Sequence, residues 1–362
     1  MYKRYFIVLA IIVAVLFAAV GFGNAALNPY VYDKDEIARV GKGLAEGKNL
    51  ANYDPNVDLR AVRKAQIEAM TTTPDIVIFG GSRWQEARSE IIPGGHRVYN
   101  AFVSNDQIED MMALAQILDV NNRLPKAVVY SLRFVSLQPV ADRGTYDWKD
   151  WGPEYVEMSR KLGVEPVNYP TRAPVQQWSG RFYLPALWDR VQQVSLAKHE
   201  PMLTTESETE TLDIIASDGS LHWSKASKAK FTRKLVDNIV EHELRRQGPT
   251  QPKIGTREVD LLGKLIDWYK AKGVKVYIIQ SPYHPFYWQE IQKYPFGKTL
   301  HGNEKIALQM QAEHGAFAFN HYDPAPFPNC VPEHFVDHIH PTWECMQDMF
   351  NALPDLVTGV RR

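Results

Sequence analysis

The segment DIVIFGGS, residues 75–82, decides the fold of this 362-residue chain. Its first five residues are almost all β-branched or aromatic, and the run lies between Pro74 and the pair Gly80-Gly81. Such a run is typical of a strand buried in a parallel sheet. The glycines allow a sharp turn at the carboxyl end of the strand, where α/β sheets bind ligands. Ser82 therefore lies where a nucleophile would be expected, although a Gly-Gly-Ser sequence after a strand is more often a simple turn.

Segments of strand and helix character alternate on both sides of this run. The predicted strands are residues 75–79, 97–103, 126–132, 274–279 and 316–322. The predicted helices are residues 57–70, 106–118, 257–272, which ends at Gly273, and 342–356, which is interrupted near Pro354. This alternation is the pattern of a parallel sheet covered by helices on both faces, so we expect an α/β protein with a three-layer α/β/α sandwich.

A long interruption separates the third predicted strand from the fourth. Residues 135–225 are too long for a loop and have no strand pattern, so we expect an inserted, aromatic-rich helical subdomain or lid. Its aromatic side chains form either a small core or a stacking surface for sugar rings. These side chains are Tyr146, Trp148, Trp151, Tyr155, Tyr169, Trp178, Phe182, Tyr183, Trp188 and Trp223. The predicted parts of the chain are residues 1–26, 27–134, 135–225 and 226–362, of which the second and fourth form the α/β domain.

The first of these parts contains a long apolar segment. Residues 5–23 carry no charge and are numerous enough to cross a ~30 Å hydrocarbon core as a helix. Lys3 and Arg4 precede the segment and acidic residues follow it, so the positive-inside rule leaves the N-terminus in the cytoplasm and the remaining chain outside. We expect a single-pass membrane anchor. A cleavable signal peptide ending near Gly23-Asn24-Ala25 is the alternative, and both would export the same domain.

Composition argues against two classes of protein. The chain has 41 Lys plus Arg against 42 Asp plus Glu and no dense basic run, which argues against nucleic-acid binding. A charged fraction of 23% with nine Trp argues against a disordered chain. Cys330 and Cys345 are the two cysteines, and in an oxidising compartment they can form a disulfide worth about 3 kcal/mol. Two unrelated buried thiols are the alternative.

The segment HFVDHIHPT, residues 334–342, supplies candidate partners for Ser82. A serine nucleophile needs a base to take its proton and a carboxylate to orient that base. Asp337 and His340 can supply both from one loop. The order Ser, Asp, His without a Gly-x-Ser-x-Gly elbow argues against the α/β-hydrolase arrangement. Zinc binding by His334, Asp337, His338 and His340 is the alternative, but no His-Glu-x-x-His motif is present, so we expect no metal and no cofactor.

These motifs resemble the SGNH, or GDSL-type, hydrolase superfamily, in the membrane-anchored branch that includes alginate O-acetylation proteins. The resemblance rests on Gly-x-Ser after the first strand, Asn-x-x-x-Ser at residues 100–104 and Asp-x-x-His before the last helix, and it covers roughly residues 74–134 and 255–356. It implies the flavodoxin-like sandwich of that superfamily, with Ser82 as nucleophile, His340 as general base and Asp337 as its orienting partner.

The resemblance also implies a function and a location. It suggests a serine esterase or O-acyltransferase that passes acyl groups, in particular O-acetyl groups, to or from a cell-envelope or exported polysaccharide through an acyl-enzyme. The domain would lie in the periplasm on an inner-membrane anchor, with a membrane-bound acyl-donor protein as a second partner. A catalytically inactive glycan-binding or assembly subunit of the same fold is the alternative.

Two positions differ from the pattern of that superfamily. Asn105 stands where the family has a glycine whose N–H binds the oxyanion, and asparagine tolerates the left-handed backbone that this requires. The third strand ends in SLRF, residues 131–134, without the family's asparagine. Losing that donor costs about 3 kcal/mol of transition-state stabilisation unless Ser131, Arg133 or Arg83 replaces it.

Three further residues have alternative roles. Tyr283 and His284 follow the fourth predicted strand within QSPYHP, residues 280–285, and are either site residues or part of a proline-stiffened turn. Arg83 either binds an anionic substrate or pairs with a neighbouring carboxylate.

Overall fold

The computed structural model describes residues 2–26, 34–53, 57–143, 147–167 and 201–353. The chain forms two compact units, one of residues 1–33, 53–58 and 167–201 and the other of residues 34–52, 59–166 and 202–362. The first unit contains helix α1, Tyr2–Ala26. Its segment Arg4–Phe22 has a mean hydropathy of 2.9 and is long and apolar enough to cross a membrane. The predicted apolar helix is therefore confirmed, and an anchor and a signal peptide would both form it.

The second unit contains the other described helices and strands. Its helices are α2 Lys34–Ala45, α3 Leu59–Ala69, α4 Ile108–Val120, α5 Gly152–Lys161, α6 Lys225–Lys230, α7 Arg233–Gln247, α8 Thr256–Ala271, α9 Pro285–Ile291, α10 Pro295–His314 and α11 Trp343–Asn351. Its strands are β1 Asn49–Ala51, β2 Ile76–Phe79, β3 Val98–Asn100, β4 Ala127–Ser131, β5 Met202–Thr204, β6 Ile214–Ile215, β7 Leu221–His222, β8 Lys275–Gln280 and β9 Phe317–Asn320.

Five of these strands form a parallel sheet in the order β3-β2-β4-β8-β9. Its central residues are apolar and fully buried, as expected for strands covered on both faces. The chain passes from β2 outward to β3 and then returns across β2 to β4, so the strand order reverses between β2 and β4. Ligands of open α/β sheets bind at the carboxyl edge at such a switch point. The α/β class and the parallel sheet are thus confirmed.

The boundaries of the elements differ slightly from the prediction. Strand β3 spans Val98–Asn100, shorter than predicted, although the Ala101 and Val103 N–H groups beyond it still donate to the carbonyls of Ile78 at 2.8 Å and Gly80 at 3.1 Å. Helix α8 ends as predicted, with Gly273 in the left-handed conformation at φ +77°. Helix α11 ends at Asn351, and Pro354 lies outside the described residues.

A second, antiparallel sheet has the order β5-β1-β6-β7. The prediction that residues 135–225 contain no strand is therefore wrong for residues 202–222. Strands of two or three residues are too short to produce a recognisable alternation, and β1, which pairs with β5 and β6, lies far earlier in the chain. Residues 135–166 and 202–225 belong to the same compact unit as the parallel sheet.

The described aromatic residues of the predicted insertion are packed among themselves or against neighbours. Trp148, Trp151 and Tyr155 are at most 1% exposed. Trp223 packs edge-to-face on Phe231. For the first three residues the core interpretation is correct, because buried rings cannot stack on a sugar. Outside the described residues lie Tyr146, Tyr169, Trp178, Phe182, Tyr183 and Trp188.

Candidate active site

Ser82 begins a 3₁₀ turn, Ser82–Trp84, directly after β2. The glycines before it are needed for close packing rather than for unusual backbone angles, since Gly81 has φ −80° and ψ −170°. A Cβ on Gly80 would lie 2.4 Å from the Ser131 Cβ, and a Cβ on Gly81 would lie 2.4 Å from the Arg133 Nη2. The glycines were predicted to allow a sharp turn. The structure shows instead that they allow the end of β4 to pack closely against this segment.

Asn100, fully buried at the end of β3, holds the turn in place. Its Nδ2 donates hydrogen bonds to the carbonyls of Trp84 at 2.7 Å and Ala87 at 3.0 Å. Its Oδ1 accepts one from the Phe102 N–H at 3.1 Å. The turn that carries Ser82 is thus fixed to the neighbouring strand. The sequence singles out Asn100 only as part of a motif, because carbonyl acceptors leave no sequence signal.

Ser82, His340 and Asp337 form a continuous hydrogen-bonded chain. The Ser82 Oγ lies 2.7 Å from the His340 Nε2, and the His340 Nδ1 lies 2.6 Å from the Asp337 Oδ2. With the carboxyl group ionised, Nδ1–H donates to Asp337 and Nε2 accepts from the serine hydroxyl. Ser82 and His340 are half-buried, so solvent reaches the site. This is the arrangement of nucleophile, base and orienting carboxylate that acyl transfer requires.

Asp337 is ionised and fixed in place. Its Oδ1 accepts hydrogen bonds from the backbone N–H groups of Ile339 at 2.8 Å and His340 at 2.9 Å. Burial by itself would raise the pKa of Asp337, but the charge and hydrogen bond of His340, the charge of His338 and the Ile339 N–H together hold that pKa well below its usual range. The carboxylate can therefore orient the imidazole and stabilise its positive charge.

The loop around these residues is closed by a disulfide between Cys330 and Cys345, as predicted. Within the loop, Phe335 and Pro341 form an antiparallel bridge, and the Val336 N–H donates to the His340 carbonyl at 3.0 Å. Both cysteines are buried in the core beneath the parallel sheet. The loop that carries the imidazole is therefore tied to that core at both ends.

Arg83 pairs with no carboxylate among the described residues. Its side chain is 2% exposed, and its Nε and Nη2 donate to backbone carbonyls. The expectation of a paired carboxylate is wrong, because within the described part of the chain the guanidinium has no carboxylate partner. Its charge is compensated instead by carbonyl dipoles and by the ring of Tyr283, whose centroid lies 4.1 Å from the guanidinium carbon.

Arg133 and Asn105 lie near the turn that carries Ser82. The Nη2 of Arg133 pairs with the fully buried Asp106, and its buried Nε has no partner among the described residues. The guanidinium packs against Gly81. Asn105 has φ +53°, the left-handed conformation expected if it replaces a glycine. Ser131, at the end of β4, is buried, and its hydroxyl likewise has no partner in the described chain.

A pocket of about 420 Å³ lies beside these residues. Its lining is partly aromatic, with Phe134, Tyr283 and Phe296, and includes three arginines and no carboxylate. It also includes Asn105 and Ile339, so the pocket reaches the loop that precedes the imidazole. A second pocket of about 440 Å³ lies between α8 and α10 and is lined by none of the predicted site residues.

Tyr283 and His284 are buried behind the site. The Tyr283 ring stacks on Tyr287 and lies against Arg83. Burial raises the pKa of the Tyr283 hydroxyl and lowers the pKa of His284 to about 4, so both side chains are neutral at pH 7. Neither is hydrogen-bonded to the Ser82–His340–Asp337 chain. The turn interpretation fits His284, which precedes α9, whereas Tyr283 also lines the pocket.

The histidines considered as zinc ligands point to different partners. The Nδ1 of His334 lies 2.6 Å from the Asn329 carbonyl, and the Nε2 of His338 lies 3.2 Å from the Gln247 Nε2. Among the residues that the structure describes, no three His, Cys, Asp or Glu side chains converge as metal ligands do. The ligand set considered at residues 334–340 is therefore not assembled.

A scan against protein-family models finds no match for this chain, and a search of curated proteins also finds none. The geometry of the site is therefore the basis for assigning a function.

Proposed function

We propose that this chain is a membrane-anchored, extracytoplasmic serine esterase or O-acyltransferase of the SGNH type. The observation that carries the proposal is the hydrogen-bonded chain of Ser82, His340 and Asp337, with links of 2.7 and 2.6 Å. The strand order supports it, because a serine after the first parallel strand and an Asp-x-x-His before the last helix are the positions of the SGNH nucleophile and base. A three-layer α/β/α sandwich is the architecture that we propose for this domain.

The mechanism follows from the direction of the hydrogen bonds. The Ser82 hydroxyl attacks the acyl carbonyl carbon as its proton passes to the His340 Nε2. The tetrahedral intermediate then expels the alkoxide, which takes the proton from the imidazolium and leaves as an alcohol, so that an acyl-enzyme remains. A sugar hydroxyl or water next gives its proton to the same nitrogen and attacks the acyl-enzyme. The second tetrahedral intermediate then collapses as the imidazolium returns that proton to the Ser82 oxygen, which releases the acylated sugar or the free acid. Asp337 remains ionised throughout and stabilises the imidazolium.

The oxyanion would be bound by backbone and cationic donors. The N–H groups of Ser82 and Asn105 have no acceptor within the described chain, and both lie next to the nucleophile turn or the pocket. Arg133, at the end of β4, is the side chain that we propose in place of the family's asparagine, since it packs against Gly81. A cation in a half-buried site stabilises developing negative charge more strongly than a neutral donor does.

The substrate class is taken from the resemblance to SGNH proteins. We propose O-acetyl esters of a cell-envelope or exported polysaccharide as substrates, with an inner-membrane anchor at residues 5–23 and a membrane-bound acyl-donor protein as partner. The disulfide supports a periplasmic location, because structural disulfides persist in oxidising compartments. Transfer to a sugar rather than to water would require the occupied site to exclude solvent.

The test uses the full chain in detergent micelles. We expect it to hydrolyse a chromogenic acetyl ester and to be labelled by a fluorophosphonate on Ser82. Ser82→Ala should abolish both activities. Ser89→Ala, which changes a half-buried serine in the next turn, should retain both and serves as the matched control. Equal inertness of all three proteins would contradict the proposal.

One observation favours the alternative of an inactive glycan-binding or assembly subunit. The end of β4 has Ser131 and Arg133 where the family has its asparagine, and one donor nitrogen of Arg133 is already bound to Asp106. If this alternative is correct, a soluble polysaccharide should bind the chain with the same affinity before and after Ser82→Ala, and neither protein should react with the fluorophosphonate.

A further inference from the structure

The side chain of Arg83 connects three loops at the carboxyl edge of the parallel sheet. Its Nε donates a hydrogen bond to the carbonyl of Ile339 at 3.0 Å. Its Nη2 donates to the carbonyls of Ser281 at 2.5 Å and Pro282 at 2.8 Å. These carbonyls belong to the loop before α11 and to the loop after β8, whereas Arg83 itself lies in the turn after β2. One guanidinium therefore ties together segments that are far apart in the sequence.

The positive charge of Arg83 is buried. The side chain is 2% exposed, and its hydration is replaced by carbonyl oxygens and by the aromatic rings of Tyr283 and Tyr322, whose centroids lie 4.1 and 5.7 Å from the guanidinium carbon. Burying a cation costs free energy, which such contacts offset without a large surplus. The net gain in stability is therefore small, so we expect the main effect of Arg83 to be on the positions of the loops that it joins.

Arg83 joins the sequence neighbours of the two groups that exchange a proton. It follows Ser82, and Ile339 precedes His340, so a hydrogen bond of 3.0 Å lies one residue away from the 2.7 Å contact between the Ser82 Oγ and the His340 Nε2. We infer that Arg83 is a positioning residue that holds His340 within proton-transfer distance of Ser82. The inference rests on the proposed function, because it assigns Arg83 a role in that reaction.

Lysine cannot reproduce this arrangement. The guanidinium presents donors in a rigid planar fork, which allows Nε and Nη2 to serve two loops at once. An ammonium group is a point donor on a flexible stem, and it can reach one of the carbonyls but cannot hold both loops in register. Arg83→Lys should therefore retain the positive charge but lose the link between the loops. This variant separates the effect of the charge from the effect of positioning.

The experiment compares the full chain with Arg83→Gln, Arg83→Lys and Arg123→Gln in detergent. Arg123, in the loop that precedes β4, is the matched control, because its guanidinium also binds a backbone carbonyl, that of Met70 at 3.0 Å, at the end of α3. The readout is the rate of Ser82 labelling by a fluorophosphonate between pH 5 and 10, together with the melting temperature. Where a base is in reach of the hydroxyl, the rate rises as the base loses its proton and then levels off.

The expected result is a loss of that plateau. A displacement of about 1 Å costs about 100-fold in rate, so Arg83→Gln should label about 100-fold more slowly, with a rate that keeps rising with hydroxide concentration. Arg83→Lys should lose about tenfold or more, and Arg123→Gln should match the unmodified chain. A merely structural role would lower the melting temperature without changing the shape of the pH profile.

Three outcomes would overturn the inference. One is a plateau within about threefold of the unmodified chain in a folded Arg83→Gln or Arg83→Lys variant. Another is that both Arg83 variants fail to fold while Arg123→Gln folds, because Arg83 would then be needed for the stability of the fold. The third is failure of the unmodified chain to label at all, which contradicts the proposed function itself and is thereby distinguished from the first two.

Discussion

Replacing Gly81 by alanine tests the close packing beneath Ser82. The new Cβ would lie 2.4 Å from the Arg133 Nη2 and 2.5 Å from the Asp106 Oδ1. Ordinary contact begins near 3.4 Å, so the ion pair must retreat by about 1 Å or the turn must move. Overpacking of this kind costs about 1–3 kcal/mol, and the cost reaches about 3–5 kcal/mol if the pair separates and leaves the fully buried Asp106 without its cation.

The assay is denaturant unfolding of the full chain in detergent. Gly302→Ala is the matched control, because a Cβ at that helical position of α10 meets nothing closer than 3.6 Å and should change stability by less than about 1 kcal/mol, in the favourable direction. In a background of Arg133→Ala with Asp106→Ala, Gly81→Ala should cost less than about 1 kcal/mol, because the obstructing atoms are absent. An equal cost in both backgrounds would refute the reasoning.

Three other predictions concern the site. Asp337→Asn should lower ester hydrolysis by about 10³–10⁴-fold, measured as kcat, because an amide no longer selects the productive tautomer of His340. Reduction of Cys330–Cys345, or its replacement by serines, should lower the free energy of unfolding by about 3 kcal/mol in a denaturant titration. Burial raises the pKa of Glu86 to about 7 from 4.5, so between these pH values the native state keeps a proton that the unfolded state loses. The free energy of unfolding should therefore fall by up to about 3 kcal/mol as the pH rises from 4.5 to 7. Glu86→Gln should abolish that fall, which thermal melts at about pH 5 and 8 would measure.

The hydrogen-bonded residues Ser82, His340 and Asp337 could be found in the sequence because they stand at element boundaries. Ser82 follows a strand of uninterrupted apolar residues, and Asp337 and His340 precede a helix, so the carboxyl edge of a parallel sheet is their common location. The helix end at Gly273 could also be predicted, since the left-handed position after a helix favours glycine.

The other features have no comparable signal. Strands β5, β6 and β7 are too short to show a period, and β5 and β6 depend on pairing with the distant β1. The hydrogen-bond partners of Arg83 and Asn100 are main-chain groups, which do not depend on the type of residue, so no residue type marks them. The role of Gly81 depends on how closely Arg133 approaches, and that distance is a property of the assembled sheet.

The use of carbonyl acceptors by Arg83 and Asn100 has a consequence for divergence. Because the acceptors at residues 84, 87, 281, 282 and 339 are main-chain atoms, many substitutions at these positions would leave the hydrogen bonds intact. Distant homologues could then share the geometry while retaining little overall identity. They would be recognised by the spacing of a few side chains, namely Ser82, Arg83, Asn100, Asp337 and His340, and whole-chain comparison would overlook them.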